Sequence, residues 1–420
     1  MTGTNRPRLS VRLPRMTGRD PQQTHRASTP LELLFDLTFV VAFGQAGDQL
    51  AHALAEAHTA SGIVAFVFAV AATCWAWINF SWFASAYDTD DWFYRLSTMV
   101  QMIGVVVFAL GIPGFFASLE HGGHVDNGVL VSGYVVMRVA LIGQWLRAAT
   151  QDPEHRGTAV RYALFVGVAQ AGWVAVAILS LDVVPFFVCA VVLFAVEFLG
   201  PVLAERHSSG SPWHPHHLAE RYGLLAIITL GEGIFGTVAA VSVLVQEQGW
   251  SGEAVIVVIA GVGLTFGLWW TYFTMPSGRI LARFRSRLFA WGYGHIAIYG
   301  SIVAVGAGLH VSAYVIEGHS SIGVVGAILA VAVPALLFSF TMFTLYTLLL
   351  RTFDPFHIAL FAGTALLLIA AILLALAGVS LGVCLLVVTL APAVVVVGYE
   401  MVGRRHQADA LGRILKDDAS

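Results

Sequence analysis

Read along the chain, apolar residues come in blocks long enough to cross a bilayer, with only a few polar residues between one block and the next. A spanning helix needs about 20 mostly apolar residues. Hydropathy places such spans near 31–54, 61–83, 96–118, 129–149, 161–181, 184–204, 217–243, 252–274, 288–311, 322–350, 357–377 and 379–401. A tight turn at Gly378 divides the last two, and a single broken helix is the alternative there. The pattern predicts an all-α polytopic membrane protein of about 12 transmembrane helices.

Composition agrees with that pattern. Hydrophobic residues make up 58% and charged residues 11% of the chain, and the mean hydropathy is +0.79, outside the range of water-soluble domains. The net charge of −3 says less than the positions of the charges. Cys74, Cys189 and Cys384 all fall inside apolar runs, where they act as small hydrophobes rather than as a metal or disulfide framework. No Walker loop, dinucleotide fingerprint, nucleophile elbow or nucleic-acid module occurs, so the sequence predicts no cofactor and no nucleic-acid partner.

Of 22 Lys and Arg residues, six lie before residue 29 and four after residue 403. All the others except Arg138 sit at alternate loops or the adjoining helix ends: Arg95; Arg147, Arg156 and Arg161; Arg206 and Arg221; Arg279, Arg283, Arg285 and Arg287; Arg351. Basic residues are retained in cytoplasmic loops, so this alternation predicts an even number of spans in the plasma membrane with both termini in the cytoplasm. Residues 1–28 carry Arg6, Arg8, Arg12, Arg15, Arg19 and Arg26 without an apolar core, and read as a disordered basic cytoplasmic tail rather than a cleavable signal. A six-helix unit then spans 29–206, a second spans 207–403, and 404–420 form a C-terminal cytoplasmic tail. Ordered landmarks recur between the units: Trp77-Ile78-Asn79-Phe80-Ser81 with Trp270-Thr271-Tyr272-Phe273-Thr274, Arg95-Leu96 with Arg287-Leu288, and Glu197-Phe198-Leu199-Gly200 with Glu400-Met401-Val402-Gly403, at offsets of 193, 192 and 203. Two even-numbered units share one orientation, which predicts two parallel repeats.

Ionised groups within hydrocarbon are costly and are therefore the candidate functional residues. Helical spacing sets Glu32, Asp36 and Val40 on one face of the first span, which continues to Gln45 and Asp48. Two adjacent carboxylates in a dry site favour a shared proton or a bound cation; the alternative is that they complement the helix dipole. In the seventh span Glu220 and Arg221 lie near the cytoplasmic surface, while Glu232 is 12 residues past Glu220, about 18 Å along the helix and near the midplane. Arg138 is the one basic residue well inside a span, and pairing with Glu232 is the simplest expectation. Glu197 is a further candidate, with Glu400 nearer the headgroups. His295, Asn79, Gln101, Gln144 and Gln170 read as helix–helix hydrogen-bonding groups, and Trp75, Trp77, Trp82, Trp269 and Trp270 largely as an interfacial belt. His207, His214, His216 and His217 read as a solvated loop, not a metal site.

Thr29-Pro30-Leu31-Glu32-Leu33-Leu34-Phe35-Asp36-Leu37-Thr38-Phe39-Val40 and His216-His217-Leu218-Ala219-Glu220-Arg221-Tyr222-Gly223-Leu224, followed by Leu230-Gly231-Glu232, resemble the bacterial low temperature requirement protein A family over nearly all of residues 25–403. That resemblance implies a multi-pass membrane protein tied by name to growth in the cold. Phe35 and Phe39 with Asp36 and Ala42 are also similar to the first-helix Phe-Ser-Asp signature of lysosomal and bacterial potassium channels built from six-helix repeats. Here the Ser is missing from Leu34-Phe35-Asp36, and no Asp stands at Tyr222-Gly223 in the seventh span.

The expected function is transport of an unidentified ion, or of a small solute coupled to protons, along the first and seventh spans. Asp36 and Glu232 are its ion or proton sites and Arg138 the countercharge; Glu32, Glu197, Glu220 and Arg221 complete the candidate pathway. The alternatives are an intramembrane enzyme acting on lipid-like substrates and a non-catalytic scaffold or sensor. The lipid bilayer is the one assured partner, and assembly into a homo-oligomer is left open.

Overall fold

The computed structural model describes residues 13–20, 23, 26–206, 210–351 and 353–407. The helices are α1 (Pro30–Ala55), α2 (Thr59–Tyr87), α3 (Trp92–His121), α4 (Gly128–Gln151), α5 (Arg156–Leu179), α6 (Val183–Arg206), α7 (Pro215–Gln248), α8 (Gly252–Phe273), α9 (Ser277–Arg283), α10 (Leu288–Ile316), α11 (Gly323–Leu350), α12 (Pro355–Leu376) and α13 (Leu381–Gly398). All but the short α9 are long and apolar enough to cross a membrane, which gives 12 candidate spans among the described residues. No strand occurs among them; one isolated bridge joins His124 to Asp182.

Local chemistry sets the helix ends. Thr29 and Glu32 form a reciprocal capping box, with Pro30 in the first turn of α1. Asp91, Ser251 and Asp354 cap α3, α8 and α12 by accepting backbone N–H bonds. The α12–α13 division falls as expected at Gly378, whose φ of 81° is open to glycine without a Cβ clash.

Helices α1, α2, α7 and α10 make the centre, α2 and α10 being the most enclosed, while α6 and α12 lie outermost. In the first half α1 packs on α2 and α3, α3 on α4, α4 on α5 and α5 on α6; in the second, α7 packs on α8 and α10, α10 on α11, α11 on α12 and α12 on α13. The halves meet where α1 touches α7 and α10, and where α2 touches α10. Trp75, Trp77 and Trp82 are buried in that centre instead of forming an interfacial belt; Trp75 packs edge-on against Phe198 and Tyr293. Trp269 and Trp270 stay partly exposed on α8.

The described part of the tail before α1 is packed, unlike the disordered segment expected there. Met16 is fully buried, the Gly18 N–H donates to Asp152 at 2.9 Å, and Arg26 donates to the Ala84 and Ser85 carbonyls at the end of α2. Arg6, Arg8 and Arg12 lie outside the described residues.

Candidate functional site

Where α1 and α7 begin, they meet through charge. Glu32 and Asp36 share a face of α1 as expected, but the cation between them is a side chain of the protein. Arg221 Nε lies 3.2 Å from Asp36 Oδ2, and Arg221 Nη2 is in direct contact with Asp36 Oδ1. Nη1 lies 3.1 Å from Glu32 Oε1, an ion pair without hydrogen-bond alignment. The Trp77 indole donates to Asp36 Oδ1 at 2.6 Å, and His217 Nε2 lies 3.2 Å from Glu32 Oε2. All four ionisable side chains are completely buried. Arg221, expected near a water-facing surface from its position in sequence, is instead fully buried against Glu32, Asp36, Trp77 and Phe80.

The pairs share one register. Glu32 and His217 are 185 residues apart, and so are Asp36 and Arg221. Each helix has a capping residue followed by Pro, Thr29-Pro30 in α1 and His214-Pro215 in α7. Equivalent positions of two parallel helices therefore face each other, acids on α1 and bases on α7. The histidines expected in a solvated loop are structural: His214 caps α7 by accepting from the His217 N–H at 3.2 Å, and only His216 of the three described is exposed. His207 lies outside the described residues. Glu220 is exposed and accepts the Ser28 N–H at 3.2 Å, apart from the buried cluster.

Beneath this cluster, at the end of α2, burial and nearby Glu32 push the Asp88 carboxyl up to about 6 against the pull of Arg19 and Arg26. Burial, aided by Arg19, brings the Arg26 guanidinium down to about 10.

Arg138 does not pair with Glu232. Its Nη2 lies 2.9 Å from Glu197 Oε2 and 2.6 Å from the Tyr134 hydroxyl, which itself donates to Glu197 at 2.6 Å. Trp173 and Gln170 donate to the other Glu197 oxygen at 3.0 and 3.3 Å. Helix α4 packs against α3 and α5, away from α7, which puts Glu232 out of reach. Glu197 and Glu400 differ in surroundings: Glu400 pairs with Arg404 at 2.7 Å in a solvent-facing π turn after α13. Gln101 donates to Gln144 at 3.0 Å and His295 lies 3.0 Å from the Tyr272 hydroxyl, between helices as expected, whereas Asn79 donates to the Trp75 carbonyl of its own helix at 2.9 Å.

Glu232 alone of the candidate acids buried in the spans has no base bound to it. Its side chain lies at the α1–α7–α10 contact, where glycines replace bulk: a methyl built on Gly44 would stand 3.3 Å from its Oε1, and one on Gly306 2.6 Å from its backbone carbon. The charged groups near enough to act on it are Asp48 and His310, and those two pair with each other at 3.1 Å. From there polar groups continue to the face opposite the N-terminus. His310 stacks on Tyr314 at 5.4 Å, Tyr314 neighbours the His52 ring at 6.4 Å, and His52 lies 3.5 Å from Glu56. Asp48, His52 and Glu56 are successive i, i+4 neighbours on α1, and each is about half exposed. The role of His310 was not visible in sequence, because it comes from α10 and only the fold brings it to α1.

Helices of this length and apolarity, joined by short loops around a core of paired charges, define a multi-pass membrane protein. Residues 27–392 match the family described as Bacterial low temperature requirement A protein (LtrA), and the chain belongs to that family. It is similar to the uncharacterized protein RA0937 of Rhizobium meliloti (strain 1021), with 26% identity over 299 residues covering 67% of this chain and 68% of that protein. No solved structure matches it.

Proposed function

We propose that this protein moves protons or a small cation, or a small solute coupled to them, across the plasma membrane, with Glu232 as the carboxylate that takes up the mobile charge. One observation carries the reading: every other candidate acid buried in the spans is ion-paired with an arginine, Glu32 and Asp36 sharing Arg221 and Glu197 holding Arg138, and Glu232 pairs with none. An ionisable group kept in the membrane without a fixed partner is suited to a partner that comes and goes. Asp48, His310, His52 and Glu56 lead to it from the face opposite the N-terminus. An acidic and imidazole stripe half exposed to lipid would be costly, so the side it lines is wet. At the other end, the Glu32–Asp36–Arg221–His217 clasp closes the path. On this reading Asp36, expected as an ion site, Arg138, expected as its countercharge, and Glu197, expected on the pathway, all become parts of the frame.

The arginine-rich loops support a reading with the N-terminal face, and both termini, in the cytoplasm. Supporting two parallel six-helix repeats are the matched starts of α1 and α7 and the similar order of helix neighbours in the two halves. In such a device the two units tilt about the α1–α7 contact, opening the clasp as the path to Glu232 closes.

Protein reconstituted into liposomes with a trapped pH dye tests this. An imposed pH or potassium gradient should give a flux that Glu232→Gln lowers at least tenfold. Wild-type flux in that variant would remove Glu232 from the mechanism. Absence of flux with a turnover of lipid-like substrate instead would favour the enzyme.

A further inference from the structure

At the face opposite the N-terminus, the ends of three helices bring together side chains of a different chemistry. Glu56 caps the end of α1, His58 precedes α2, and Glu120 is the penultimate residue of α3. Between the first two, Ala57 takes a left-handed φ of 65°, and the His58 N–H returns to the Ala53 carbonyl at 2.8 Å. This tight turn folds Glu56 and His58 toward one another. His58 Nδ1 lies 3.7 Å from Glu56 Oε2 and in direct contact with Glu120 Oε1. One ligand atom from each of the three lies within 4.8 Å of the others. His52 Nε2, one turn back on α1, lies 3.5 Å from the remaining Glu56 oxygen.

We propose that Glu56, His58 and Glu120, with His52 as a fourth donor, form a binding site for a divalent transition metal ion of the zinc class. Two imidazoles and two carboxylates suit zinc and exclude calcium and magnesium, which take all-oxygen shells. Zinc bonds of about 2.0–2.1 Å in a tetrahedron put ligand atoms about 3.3 Å apart. The spacings among Glu56, His58 and Glu120 bracket that figure, so binding needs rotation of the two glutamate side chains and insertion of the ion into the His58–Glu120 contact, while His52, beyond that group, has to swing in by rotation of its own side chain. A bare surface ion cluster would need neither the second imidazole nor donors from three separate elements. The bound ion would tie the α1–α2 turn to the end of α3. His52, Glu56 and His58 lie within seven residues of one another, but Glu120 comes from the end of α3 and only the fold brings it to them.

The site shares His52 and Glu56 with the path proposed to Glu232, so it is tested by binding, which stands or falls whether or not the protein conducts a flux. Full-length protein purified without a polyhistidine tag, stripped with chelator and titrated with zinc chloride, should take up one zinc ion per chain at micromolar or lower concentration, and should not respond to calcium. His58→Gln and Glu120→Gln should each weaken binding at least tenfold, and His216→Gln on the other face should leave it unchanged. Absence of zinc uptake, or uptake unaltered by both His58→Gln and Glu120→Gln, overturns the site. If those two variants misfold, His52→Gln and Glu56→Gln, judged against the melting temperature of the metal-free protein, make the same distinction.

Discussion

Helices α1 and α7 touch at two levels, and chemistry differs sharply between them. Near their starts, two acids of α1 are matched by two bases of α7 in equal register, and all four side chains are fully buried. Further along, α7 offers Glu232 to the glycines of α1 and α10 with no base bound to it. Both levels carry buried charge, so burial by itself does not mark function. The state of pairing does: a closed ion cluster holds helices together, and an open carboxylate can exchange its partner. A buried ion pair stabilises little over a well-packed apolar pair, yet breaking one by removing a single member is severe.

The largest expected effect follows from that asymmetry. Arg221→Met leaves Glu32 and Asp36 buried without a cation and should cost about 3–5 kcal/mol, read as lost thermal stability in detergent. Adding Glu32→Gln and Asp36→Asn to Arg221→Met should recover most of the loss, because no charge is then left stranded. A single variant that melts like wild type would mean that the cluster is wet and exchanging, and would erase the contrast with Glu232.

A smaller effect sharpens the comparison from the edge of the same cluster. Asp88 is an acid there whose Oδ2 has no hydrogen-bond partner, and its carboxyl is raised to about 6 from an ordinary 3.8. Between these values the folded protein holds a proton that the unfolded chain has released. Stability therefore falls as pH rises from about 4 to about 6, by at most about 1.4 kcal/mol per pH unit, and this contribution is flat above that window. Melting curves across that range should show Asp88→Asn losing this part of the slope. The same slope in wild type and variant would return Asp88 to an ordinary surface carboxylate.

Much of this arrangement could be read before any coordinates. The helices were legible because length and apolarity decide spans without reference to neighbours, and Glu32 and Asp36 shared a face because both lie on one helix. The first and seventh spans adjoin as expected, but the pairing of charges between helices does not follow the sequence. Arg138 and Glu232 looked like a pair as two charges inside spans, but depth along a helix says nothing about azimuth, and the partner of Arg138 came from α6. Arg221 reads as a surface residue because six residues past Pro215 is shallow; its pairing with Glu32 and Asp36 of α1 buries it completely at that depth. The 185-residue register between α1 and α7 was readable in principle from Thr29-Pro30 and His214-Pro215, yet opposite charges at matched positions hide a repeat from any search for similar residues.

The smallest expected effect is the one that breaks the comparison most cleanly. Glu232→Gln removes a charge that no base is holding, and the amide keeps its volume beside Gly44, Gly47 and Gly306. No stranded partner is created, so the melting temperature should stay within the range of about 0.5 kcal/mol typical of substitutions that disturb no packed feature, or rise slightly as a desolvation cost is relieved. The same change made in the clasp as Asp36→Asn leaves Arg221 with one carboxylate fewer and should destabilise clearly. If Glu232→Gln destabilised as much as Asp36→Asn, the carboxylate would have a fixed partner in the working protein, and both levels of the α1–α7 contact would be frame. If it is neutral to folding and abolishes flux, the same helix pair is clasp at one level and carrier at the other.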